Sequence, residues 1–323
     1  FADHQARSFD ARAQMLDEGQ VHWLPGQEAG ESAISRVIGL GDKELSRFFH
    51  ENPYQVNAVR DDAPFFWHFA RFRDALLAPL PSASAIVDHE DSVAERITLS
   101  FLGVVVVLAA LFLFLPLVTI RDAFARMPEK RLAAAYFAAL GIGFMFIEVA
   151  LVQKLTLLLG YPTYSLSVTL AALLVFSGIG SMQSWRWGED RNQALLRVLG
   201  ALSVVVLLLL LFLPALMNHF VGHALPVRIA LTIAVVAPIG SCLGAFMPLG
   251  LRAVAGAARE HEREYVAWAW AVNGFFSVIA SILSTILAMV FGFRWLFVAA
   301  LFIYALGAWA LSRFPQSELR DAE

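Results

Sequence analysis

The chain has 323 residues, 59% of them apolar and only 16% charged, whereas a soluble domain carries about a quarter charged residues. Most of this protein is therefore expected in lipid. A net charge of −3 without a basic tract offers nothing to a nucleic-acid partner, and a single cysteine, Cys242, excludes an internal disulfide or a cysteine-based metal cluster.

The sequence opens on Phe1-Ala2-Asp3-His4 with no initiator Met, basic n-region or short apolar h-region. A C-terminal fragment of a longer protein is expected to begin in this way. Residues 1–96 read as soluble and mixed α/β. Helical spacing of Phe9, Ala13, Met15 and Leu16 ends at Gly19, and Val21 to Leu24 reads as a short strand closed by Pro25-Gly26. A second helix is predicted from Lys43 to His50 with Asp42 as its N-cap. Residues 1–78 thus look like the C-terminal edge of a larger soluble α/β domain. Residues 79–96, with Pro79, Pro81, Ser82 and Ser84, form a linker.

Ile97 to Ile120 then carries no charge, and about 20 apolar residues suffice for a helix to cross the hydrocarbon. Further spans follow at Leu132–Gln153, Thr163–Gln183, Val198–Met217, Ile229–Leu251, Tyr265–Phe291 and Trp295–Ser312. Lipid offers no hydrogen bonds, so these must be helices. The fold class is an all-α polytopic bundle of about seven transmembrane helices over residues 97–312, preceded by the α/β remnant and followed by a polar tail, 313–323. Gly160-Tyr161-Pro162 turns the chain between the second and third spans. Gly292-Phe293-Arg294 makes a tight hairpin of the last two.

Arg121, Arg126, Lys130, Arg131, Arg186, Arg191, Arg197, Arg252, Arg259, Arg263, Arg313 and Arg320 fall on one side of this arrangement. Only Lys154, Arg228 and Arg294 fall between spans on the other. The positive-inside rule makes the first side, with the C-terminus, cytoplasmic. Trp185, Trp187, Trp268, Trp270 and Trp295 lie near span ends, as interface anchors do.

Several stretches resemble bacterial membrane-embedded spermidine-synthase-like proteins. They are Tyr136 through Glu148, then Gln153-Lys154, then Leu159-Gly160-Tyr161-Pro162-Thr163-Tyr164. Arg60-Asp61-Asp62-Ala63-Pro64-Phe65-Phe66 and Trp268-Ala-Trp270-Ala-Val-Asn273-Gly274 also fit. The resemblance covers about residues 20 to 310. It implies an aminopropyltransferase-type Rossmann domain fused to helical membrane bundles in a bacterial-type inner membrane. It also implies that the Gly-rich loop and catalytic Asp lie upstream of this chain, so no catalytic residue and no cofactor are expected within it. An S-adenosylmethionine-type nucleotide belongs to the upstream domain, and an amine or lipophilic molecule is the implied substrate.

Gly39-Leu40-Gly41 after Val37-Ile38 lacks the third glycine of a nucleotide loop, Glu44 standing there, and reads as a turn. Asp61-Asp62 fits either paired carboxylates for an amine or a capped turn. In the turn reading Asp62 binds backbone amides, Pro64 fixes the exit, and Phe65, Phe66 and Trp67 pack below. Glu148 is costly within a span and needs either a partner on another helix or a proton, because Lys154 lies on a different face of the same helix. Proton or cation handling and helix pinning both remain open for it.

Asn273, Ser277, Ser281 and Thr285 form a polar ladder, read as a packing stripe or a hydrophilic path. Gly141, Gly143, Gly178, Gly180, Gly240, Gly244, Ser277 and Ser281 are the expected helix-packing positions, with Gly141, Gly143, Ser177 and Ser181 joining the second span to the third. His219 and His223 lack a third ligand for a metal.

Three functions follow. One is the membrane half of a spermidine-synthase-like protein, anchoring or feeding its upstream group-transfer domain. Another is a transporter or flippase with a degenerate soluble domain, using Glu148, Asn273 and the Gly/Pro-rich fifth span. The last is a non-catalytic assembly subunit.

Overall fold

A computed structural model describes residues 37–52, 56, 59–65, 70–77, 93–119, 121–187 and 190–315. The predicted helix at Phe9–Glu18, the strand at 21–24 and most of the linker lie outside the described residues. The chain divides into two compact units. One is Phe1–Ala58 with His68–Ser92, and the other is Val59–Trp67 with Val93–Glu323.

In the first unit, α1 (Asp42–Glu51) and α2 (Phe72–Leu77) are described. Asp42 is the first residue of α1 and not its cap. Gly41 takes the cap position, its N–H donating to the Glu44 carboxylate at 3.4 Å. Asp42 therefore contributes negative charge to the first turn, where the helix dipole favours it. Leu40 N–H donates to Val37 O at 3.3 Å, so Gly39-Leu40-Gly41 is a turn leading into α1, as its spacing predicts.

Among its described residues the second unit consists of helices and short connections, with a single bridge between Arg60 and Ala63. Its helices are α3 (Val93–Thr119), α4 (Arg121–Arg126), α5 (Lys130–Leu159), α6 (Pro162–Met182), α7 (Arg191–Phe220), α8 (Leu225–Ala257), α9 (Glu262–Phe291) and α10 (Phe293–Ser312). All but α4 are long and apolar enough to cross a membrane, which makes seven among the described residues.

Several spans run past the predicted ends. Helix α5 continues to Leu159, so Lys154 lies within it, and α8 begins at Leu225, so Arg228 lies in its first turns. Absence of charge marks the hydrocarbon, whereas the helices continue past it, where Lys154 pairs with Asp62 and Arg228 donates to Leu158 O. The α5–α6 connection is only Gly160-Tyr161. Gly160 adopts φ +84°, a left-handed conformation open to glycine, and Pro162 starts α6. Helix α8 is continuous through Pro238 and Pro248.

Helix α5 is central and packs against α6, α8, α9 and α10. Tyr136 is fully buried on it and donates from its hydroxyl to Phe246 O of α8 at 2.5 Å. Association between apolar helices in lipid rests on close packing, which small residues permit. A Cβ on Gly180 of α6 would strike the Ser241 carbonyl of α8, and one on Gly244 of α8 would strike the Ser177 carbonyl of α6. A Cβ on Gly240 would come within 3.0 Å of Phe176, so all three glycines lie on the α6–α8 seam.

Gly141 faces Asn273 and Ser277 of α9, while Gly143 faces the Tyr304 ring of α10. The second and third spans do pack directly, but Gly141, Gly143 and Ser177 face other helices. Gly141 and Gly143 serve α9 and α10, and Ser177 serves α8. One α5–α6 link is instead Ser165 Oγ donating to Val152 O at 2.6 Å. Gly178 has open space around it and takes no part in close packing.

Helix α3 packs mainly on α9, with a smaller contact to α4, and leaves Val107, Phe112 and Leu115 exposed, as a lipid-facing span would. Trp185, Trp270 and Trp295 are exposed at span ends. Trp268 is not an interface anchor. It is buried, with its ring 5.6 Å from Phe124 and 5.9 Å from Tyr265. Cys242 is buried in α8.

Candidate functional site

Arg60 to Ala63 closes as a turn, with Ala63 N–H donating to Arg60 O at 2.8 Å. The turn holds Asp62 against the ends of three helices. Helix α9 stops where Gly292 N–H donates to Ala288 O, and α10 starts at the next residue. The first N–H groups of a helix have no partner within it. Here Asp62 supplies two acceptors from outside the helix. Phe293 N–H donates to Asp62 O at 2.9 Å, and Arg294 N–H donates to the Asp62 carboxylate at 3.3 and 3.4 Å.

The carboxylate also meets Lys154 Nζ of α5 at 2.5 Å, with Arg294 Nε at 3.9 Å. Gly292 has φ +86°, and a Cβ on it would lie 2.5 Å from Asp62 Oδ2. Glycine is thus needed both for its backbone conformation and for the approach of Asp62. Phe65, one turn on, packs its ring 5.7 Å from that of Phe293.

This arrangement takes the capped-turn reading of Asp61-Asp62 one step further. The amide that Asp62 binds belongs to α10, far away in sequence. Asp61 is exposed and makes no hydrogen bond or ion pair among the described residues. Gln153 is likewise exposed and stands apart from the cluster, although Lys154 beside it is central. Arg294 and Gly292 are the participants that pattern reading missed. The signal available was the one-residue link between two spans, which leaves a helix N-terminus without an internal cap.

Glu148 lies elsewhere, half-buried in the middle of α5, and makes no ion pair or hydrogen bond among the described residues. Helices α5 and α9 run parallel, with Asn273 Nδ2 donating to Phe137 O at 3.2 Å and Gly141 against Ser277. Extending that register by two turns puts Glu148 level with Ser284. The ladder hydroxyls are occupied within α9. Ser277 donates to Asn273 O, Ser281 to Val278 O, and Ser284 and Thr285 to Ser281 O. Asn273 and Ser277 therefore act at the α5–α9 seam.

Arginines at the span ends bind carbonyls at or just past the ends of neighbouring helices, where the backbone is left unpaired. Arg228 donates to Leu158 O at 3.0 Å, and Arg191 donates to Phe314 O and Pro315 O. His219, in the last turn of α7, and His223, just past its end, have ring centroids 5.9 Å apart with the planes tilted by 37°. Among the described residues no three His, Cys, Asp or Glu side chains converge as a metal site would require. The chain matches no protein-family model, no curated protein and no solved structure.

Proposed function

We propose that this chain is the membrane half of a spermidine-synthase-like protein. Its bundle anchors an upstream domain that uses an S-adenosylmethionine-type nucleotide to transfer an aminopropyl group to an amine. The observation that supports this is the 2.5 Å pair between Asp62 and Lys154. It joins two of the separate stretches on which the resemblance rests, Arg60 to Phe66 and Gln153-Lys154. Those stretches have a common physical task, which is to fasten the turn leaving the soluble segment to the outer ends of α5 and α10. The Lys/Arg bias of the loops assigns the C-terminus to the cytoplasm of a bacterial-type inner membrane.

The test uses the full-length polypeptide in native membranes, supplied with decarboxylated S-adenosylmethionine and a diamine. Diamine-dependent release of the thioether nucleoside is the expected result. No release, where a soluble aminopropyltransferase added to the same membranes is active, overturns the reading. A second reading, transport, is favoured by Glu148, a mid-span carboxylate with no partner among the described residues.

A further inference from the structure

Beside the Asp62 clamp lies a cavity of about 160 Å³, bounded by the outer ends of α5, α7 and α10 and by the Asp61-Asp62 turn. Its floor is apolar, formed by Leu210, Leu213 and Met217 of α7 with Phe297 of α10. Its polar boundary carries Asp61, Asp62, Lys154, Asn218 and Arg294. A volume near 150 Å³ holds a benzene-sized group, so the space suits a small polar head with the start of a hydrocarbon chain.

The charges on the boundary are not equally available. Asp62 and Lys154 neutralise each other, and Asp62 is further occupied by the α10 amides. Asp61 has no partner among the described residues. The Arg294 side chain is 62% exposed and approaches Asp62 only at 3.9 Å. One unengaged carboxylate and one nearly unengaged guanidinium therefore flank an apolar floor.

Pro214 adds a further acceptor. It lies inside α7 and lines the same cavity, and having no N–H it cannot satisfy the carbonyl of Leu210, also in the wall. The site stands where spans leave the hydrocarbon, with the exposed apolar residues Leu207 and Leu211 running on along α7.

We infer that this cavity binds the headgroup of a zwitterionic aminophospholipid, its ammonium on Asp61, its phosphate on Arg294 and an acyl chain along α7. Guanidinium suits phosphate because its planar donors match two oxygens at once. A primary ammonium can donate hydrogen bonds to Asp61 and the Leu210 carbonyl. A trimethylammonium head has no N–H to donate, and a glycerol head brings no cation for Asp61.

The test titrates the full chain, delipidated in detergent, with lipids of identical short tails bearing ethanolamine, choline or glycerol heads. Bound lipid is counted by native mass spectrometry, with phosphoethanolamine as a tail-free probe. The ethanolamine lipid should bind at one site at least about ten-fold more tightly than the other two. Asp61→Asn and Arg294→Gln should each weaken it by about ten-fold, the worth of one charge-assisted hydrogen bond. Both positions are solvent-accessible and distinct from the Asp62–Lys154 pair, and the head-group preference of the parent chain is a readout that needs no variant. Equal affinity for the three lipids, or unchanged binding by both variants, overturns the inference. So does phosphoethanolamine binding as tightly as the lipid, which would make the ligand a soluble metabolite. None of these outcomes bears on transferase activity, so the test stands apart from the proposed function.

Discussion

Lys154 Nζ lies 2.5 Å from Asp62 Oδ1, which ties the Arg60–Ala63 turn to the C-terminal part of the bundle's central helix, α5. Both side chains are largely shielded, at 13% and 26% exposure. Pairs in full solvent contribute about 0–1 kcal/mol, whereas removing one partner of a buried pair costs about 3–5 kcal/mol.

Lys154→Met should therefore destabilise the protein in detergent by an intermediate amount, about 1–3 kcal/mol. Asp62→Asn should cost less than Asp62→Ala, because the amide oxygen can still accept from Arg294 N–H. A double-mutant cycle of Lys154→Met with Asp62→Asn measures the pair itself. Coupling below about 0.3 kcal/mol would mean that the two residues act independently.

The α6–α8 seam gives a second prediction. Gly180→Ala and Gly244→Ala each place a methyl group against a backbone carbonyl of the facing helix, which cannot move aside alone. Each should cost about 1–3 kcal/mol, as overpacking does. Gly178→Ala meets open space and should be neutral or stabilising by up to about 1 kcal/mol through helix propensity. Thermal unfolding of the three variants side by side checks this. Equal behaviour would place the seam elsewhere.

This contrast also marks what the sequence makes legible. The spans are plain because charge is excluded from about 20 residues at a time, and the turn at Gly160 is plain because Gly and Pro act locally. A small residue announces that some backbone comes close, but not which one. Gly141, Gly143 and Ser177 each face a different helix from the one expected, and Gly178 faces none. At the candidate site, Asp62 and Lys154 were both visible as unusual residues. Their pairing was not, since it depends on the packing of α5 against α10. Arg294 and Gly292 matter through a backbone amide and a positive φ, which leave little trace in residue type alone.

The third prediction concerns topology. Helix α8 runs unbroken over 33 residues, about 50 Å at 1.5 Å per residue, so its prolines do not make it a re-entrant segment. Seven helices are long and apolar enough to cross, and seven crossings would put the two ends of the bundle on opposite sides. A reporter fused after Glu323 should be active in the cytoplasm. A cysteine introduced at Ser82, in a Cys242→Ala background, should react with an impermeant reagent added outside. Labelling of Ser82→Cys only after the membrane is opened would contradict the assignment from loop charges.

Glu148 supports the last prediction. A residue that pins helices through a hydrogen bond should leave a trace of that bond, and Glu148 has none among the described residues. Its carboxyl is half-buried in a span, where holding an uncompensated polar group is a cost and not a gain. Glu148→Leu should accordingly leave detergent stability unchanged or raise it by up to about 1–2 kcal/mol. A clear loss would mean that a partner engages it in the membrane and would restore the pinning role. Glu148→Gln keeps the shape and removes the ionisable group, so it separates the two functional readings in the full-length protein. If the bundle serves as an anchor, group transfer by the Gln variant should match the parent. Should transport be the task instead, substrate or proton flux into vesicles should fall to background while the protein stays folded. Unchanged stability in Glu148→Leu, together with lost flux in Glu148→Gln, would assign the residue to a pathway through the bundle.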